Sequence, residues 1–219
     1  MNHFRIIART KEKINSLYKV NLLNQKQFRG FKFVANKLNK NIFEFLHEPT
    51  YKFVIWKKPN IGFIKVNTDG SVSDNKYGCG GILRNYKGNM IMAFSSPIEN
   101  CSVLVAELLA ILKALNICLY SGFFKIWLEV DALLVINCLS AEHSGNFDTF
   151  YILKDIKKML SHLDYKISHI WREGNAAADF LAKNGAVLLQ DTYYDPNNIP
   201  FPLRGIINLD KSGLPYIRF

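Results

Sequence analysis

Gly62-Phe63-Ile64-Lys65-Val66-Asn67-Thr68-Asp69-Gly70-Ser71 alternates Ile64, Val66 and Thr68 with Lys65, Asn67 and Asp69. A period of two sends the two sets to opposite faces of an extended chain, which predicts a strand ending at Asp69. Gly70-Ser71 predicts the turn that closes it. Downstream, Tyr77–Asn85 reads as a second strand, in which Gly78, Gly80 and Gly81 mark a bulge or a close approach of another element. Tyr86-Lys87-Gly88-Asn89 reads as a hairpin turn and Met90–Phe94 as a third strand. The short links make these three strands an antiparallel meander.

The texture then becomes helical. Leu104, Leu108, Ile111 and Leu115 form an apolar stripe over 102–120, which Ser121-Gly122 ends. Phe124–Asp131 is a fourth strand, with Phe124, Ile126, Leu128 and Val130 on one face and Lys125, Trp127, Glu129 and Asp131 on the other. Helices are expected over 132–139 and 150–162, a fifth strand over 165–171 and a closing helix over 175–188. Strands that return through helical crossovers lie parallel to the first. The expected fold is α/β: a mixed five-stranded sheet, antiparallel meander plus parallel strands, with flanking helices. Pro196, Pro200, Pro202 and Pro215 predict an irregular tail over 189–219.

The 219 residues are 49% hydrophobic and 21% charged, which excludes a disordered or fibrous chain. The most apolar window, 101–120, holds Glu107 and Lys113, so no membrane span and no membrane partner are expected. The net charge of +10 sits entirely in residues 1–58, which hold 13 Lys and Arg against 3 Asp and Glu. Residues 1–53 read as a basic extension, weakly helical or disordered. Its stretch 25–33 interleaves Phe28, Phe31 and Phe33 with Arg29 and Lys32, a mixture suited to nucleic acid. A leader without specific role and a mitochondrial presequence are the other readings; Glu12 as the only acid in 1–43 fits a presequence, and the scarcity of Ser does not. Cys79, Cys101, Cys118 and Cys138 form no CxxC pair and read as reduced, buried thiols, so an intracellular protein, of nucleus or cytoplasm, is expected.

Four acids stand on four elements: Asp69 and Asp131 at strand ends, Glu107 among Ala106, Ala110 and Ala114, and Asp179 after Ala176-Ala177-Ala178. Singly, each has an ordinary explanation. Asp closes turns, Glu lies on a solvated face, and Asp179 with Lys183 makes an i,i+4 pair. Together they share one natural partner, a divalent cation, and oxygen ligands suit Mg2+ or Mn2+.

The motifs Asn67-Thr68-Asp69-Gly70-Ser71, Ala106-Glu107-Leu108-Leu109-Ala110, Glu129-Val130-Asp131 and the run from His169 to Asp179 occur in that order. They resemble the four motifs of type 1 ribonuclease H. More narrowly, Trp56-Lys57-Lys58-Pro59, the 78–84 segment and Arg172-Glu173-Gly174-Asn175 are similar to the plant RNase H-like domain related to the reverse-transcriptase-associated domain of non-LTR retroelements. The resemblance covers about residues 54–188, which defines the catalytic domain.

It implies a monomeric endonuclease that cuts the RNA strand of an RNA–DNA hybrid, leaving 5′-phosphate and 3′-hydroxyl ends. It implies two Mg2+ ions on Asp69, Glu107, Asp131 and Asp179, with Asp69 bridging. His169, on a mobile loop, would move a proton or release product. Gly70, Ser71 and Asn175 would lie against nucleic acid, and Asn175 would cap the last helix. Val103-Leu104-Val105 stands where the family carries small polar residues that read the minor groove, and the family's basic protrusion is missing from 141–149. The second reading is a domesticated retroelement domain that binds nucleic acid or a protein and does not cut.

Overall fold

Among the described residues, 52–140 and 147–218 of the computed structural model, the chain runs β1 (Lys52–Val54), β2 (Ile64–Ser73), β3 (Lys76–Arg84), β4 (Met90–Pro97), α1 (Val103–Tyr120), β5 (Lys125–Val130), α2 (Leu133–Ser140), α3 (Phe147–Leu160) and β6 (Asp164–His169). A short 3-10 turn (Arg172–Asn175), α4 (Ala176–Gly185), β7 (Thr192–Tyr194), α5 (Phe201–Ser212) and β8 (Tyr216–Arg218) complete it. The main sheet has six strands in the order β6-β5-β2-β3-β4-β7, and β1 pairs with β8 separately. The meander β2-β3-β4 is antiparallel, and β5 and β6 lie parallel to β2, as the alternation and crossovers require.

Two features differ from the sequence reading. The strand carrying Asp69 does not end at Gly70. It continues to Ser73, and the hairpin turns at Asp74 and Asn75, both with positive φ. Two central residues in the left-handed region make the tight turn whose twist matches paired strands. Asp69 therefore sits within the ladder, opposite Gly80.

The segment 189–219, expected to be irregular, adds the sixth strand and a helix, and Phe53–Arg218 form one compact unit. Two of its prolines stand where a missing N–H costs nothing: Pro200 precedes α5 and Pro202 lies in its first turn. Gly213, at φ 69°, ends the helix.

The sheet has a core on each face. On one, α1 lays Leu108, Ile111 and Leu115 against Val66, Ile126 and Leu128, with α3 adding Leu153 and Ile156. On the other, α4 and α5 bring Leu181, Leu203 and Ile207 onto Ile82, Met90 and Ala93. Gly80 faces the α4 backbone so closely that a Cβ would lie 2.4 Å from Ala182 N, so α4 seats directly on β3. Cys79, Cys118 and Cys138 are buried thiols, whereas Cys101 is half-buried.

Candidate metal centre and active site

The parallel register decides where the acids meet. Asn67 on β2 pairs with Glu129 on β5, and the pairing stops there. Asp69 and Asp131 each lie two residues further along, at one level where the strands part. In open α/β sheets, the space beyond the carboxyl ends of parallel strands is where sites form. Glu107 comes from α1, which Gly70 admits: a Cβ on Gly70 would stand 2.5 Å from Glu107 N. Oxygens of Asp69, Glu107 and Asp131 all lie within 4.8 Å of one another.

Burial raises all three. Glu107 is pushed up to about 9 by desolvation, then by Asp69 and Asp131. Asp69 is pushed up to about 7 by desolvation, then by Asp131 and Asp179. Asp131 is raised, chiefly by burial. Glu107 Oε2 is buried with no hydrogen-bond partner among the described residues. A buried, unpartnered carboxylate oxygen facing two further carboxylates is a donor set that a hard divalent cation would satisfy. The residues present fit such an ion.

The three carboxylates open into a cavity of about 440 Å3. Asp179 lines it but stands outside the close triad. Its oxygens accept from Arg172 at 3.1 Å and from Lys183 at 2.6 Å. The i,i+4 pair expected for Asp179 is thus present, on the wall of the cavity. Gly70 and Ser71 line the cavity too, and Gly70 also serves the packing of α1.

His169 is placed differently from expectation. It ends β6, its Nε2 lies 3.0 Å from the Asp131 carbonyl oxygen, and its ring packs edge-on against Trp171. It is not a cavity residue; the chain reaches the cavity three residues later, at Arg172. Sequence reasoning gave Arg172 no role, although its charge beside Asp179 was a signal. Asn175 precedes α4 without capping it. Its Nδ2 instead donates to Thr68 O at 2.9 Å and to Asp131 Oδ1 at 3.3 Å, because the 3-10 turn aims the side chain into the sheet. Arg29 and Lys32 lie outside the described residues.

An α/β sheet of this order, with a carboxylate cluster where β2 and β5 part, defines an RNase H-like domain. The chain belongs to the reverse transcriptase-like family, whose model matches residues 67–185. An Arabidopsis thaliana relative provisionally named a ribonuclease H protein is 28% identical over 166 residues, covering 74% of this chain and 26% of its own. The chain therefore spans about a quarter of that protein's length. Among solved structures, RNase H1 of the halophilic archaeon Halobacterium salinarum superposes with a TM-score of 0.53 at 25% identity, over 56% of this chain and 96% of its own. LC11-RNase H1, isolated from compost and solved with an RNA/DNA hybrid, gives 0.52 at 22%, over 56% and 96%, a likeness of fold.

Proposed function

We propose that the chain is a divalent-metal-dependent endonuclease that hydrolyses the RNA strand of RNA–DNA hybrids. The observation that carries this reading is the triad Asp69, Glu107 and Asp131, whose oxygens lie within 4.8 Å and whose buried Glu107 Oε2 has no hydrogen-bond partner among the described residues. The name of the Arabidopsis relative supports it. Two Mg2+ or Mn2+ ions held by these carboxylates would activate a water and steady the departing 3′ oxygen. Arg172 and Lys183 stand at the cavity to meet phosphate oxygens, which would draw both cations off Asp179. The side chains of Val72 and Val103 offer no hydrogen bond to a 2′-hydroxyl, so hybrid selection at that wall would rest on backbone groups and shape.

The second reading, a domain that binds nucleic acid without cutting it, is favoured by the engagement of Asp179 with two cations. Cleavage of a labelled hybrid in Mg2+, beside a gel shift of the same hybrid in Ca2+, separates the two. The parent should cut and Asp69→Asn should not, while both retain the gel shift. A parent that shifts the hybrid and leaves it intact refutes the nuclease reading.

A further inference from the structure

A line of buried polar side chains runs from the C-terminal helix to the carboxylate cluster. Asp210 on α5 accepts from Arg84 Nη1 at 2.5 Å and from Tyr216 Oη at 2.7 Å. Arg84, stacked on the Trp56 ring at 3.6 Å, donates from Nη2 to Asn67 Oδ1 at 2.8 Å. Trp56 Nε1 donates to the same oxygen at 2.9 Å. Asn67 Nδ2 then donates to Glu129 Oε2 at 3.1 Å and to Asn175 Oδ1 at 3.2 Å, and Asn175 Nδ2 donates to Asp131 Oδ1.

The direction of this line is set by chemistry. Guanidinium and indole N–H groups only donate, so they hold the oxygen of Asn67 toward themselves. The amide nitrogen of Asn67 must then face Asn175, whose own oxygen is turned toward it. That leaves the amide nitrogen of Asn175 no orientation except toward Asp131 and the Thr68 carbonyl. Asn67, Arg84, Asn175 and Asp210 are all essentially buried, so water offers no alternative partners.

We propose that Asn67 is a positioning residue, through which the Asp210–Arg84 pair of the C-terminal helix orients the Asp131 carboxylate for the cation. The inference rests on the metal-site reading above. Groups that orient a ligand from behind typically alter metal affinity by about 10–100-fold.

The test is made on the full chain. Asn67→Asp keeps the shape and still accepts from Trp56 and Arg84, but it can donate neither to Asn175 nor to Glu129. Its dissociation constant for Mg2+, read by calorimetry on protein whose near-ultraviolet circular dichroism matches the parent, should rise about tenfold. A parent-like constant overturns the proposal. Should that variant not fold, the parent decides: on Mg2+ titration the side-chain amide resonances of Asn67 and Asn175 should move with the midpoint of Asp131. An Asn67 resonance that stays still while Asp131 moves overturns it. Asp69→Asn separates the two levels. If the parent binds Mg2+ and this variant does not, the metal site stands whatever Asn67 does. If the parent binds none, the metal site and the positioning role fall together.

Discussion

Asp69 and Glu107 hold protons in the fold that they would release in the unfolded chain, where carboxyl groups titrate near about 4. Raised to about 7 and about 9, they bind more protons when folded throughout that window. Stability of the metal-free protein should therefore fall as pH rises from about 4 to about 9. Asp69→Asn removes one of the repelling charges. In chelator, it should raise the melting temperature by about 5 °C at pH 9 and change it little at pH 5. Thermal melts at the two pH values check this; a variant melting below the parent at pH 9 would place some other constraint on Asp69.

The decisive element is α1. Among the described residues it is the one helix long and apolar enough to cross a membrane, yet its apolar side packs on the sheet and α3, and its single acid enters the cavity. Its seat depends on Gly70. Gly70→Ala would drive a methyl group into the α1 backbone and should cost about 3 kcal/mol, the upper range for overpacking. Gly205 in α5 is the counter-case. A Cβ there meets nothing within 4 Å, so Gly205→Ala should stabilise by about 0.5–1 kcal/mol through helix propensity. Urea unfolding of both variants measures the contrast. Equal effects would refute the close approach of α1.

Along the whole chain, the net charge and the candidate site lie in different stretches of sequence. Residues 59–219 are neutral overall, so by themselves they would attract a polyanion only weakly. If residues 1–50 provide the attraction, deleting them should raise KM and leave kcat nearly unchanged, because they act away from the chemistry. Binding by the full chain should weaken steeply with salt, at a slope near 0.9 per phosphate neutralised on duplex DNA, and the truncated chain should show a shallower slope. Equal slopes and equal KM would assign the segment to targeting instead. The opposite end is integral to the domain: α5 covers Ile82 and Met90 and supplies the only acid ion-paired with buried Arg84 among the described residues.

Alternation in 62–71 and 124–131, the apolar stripe of 102–120 and the crossover rule were enough, by themselves, to give the antiparallel meander and the parallel return of the later strands, and the acids on separate elements gave Asp69, Glu107, Asp131 and Asp179 as candidate ligands. Those features are local: each depends on spacing along one element, and burial of one face enforces it. Three outcomes were decided only in three dimensions. The role of 189–219 turned on Leu203 and Ile207 finding an uncovered face of β3 and β4, which no local pattern reveals. Asp179 and His169 come from the last of the four motifs, but the structure pairs Asp179 with Arg172 and Lys183 and sets His169 on the Asp131 backbone. Asn67 reads as a polar residue on a strand face. Only the meeting of Trp56, Arg84, Glu129 and Asn175 around it, from four distant segments, turns that face into a buried hydrogen-bond line, because buried donors must find acceptors wherever the fold brings them.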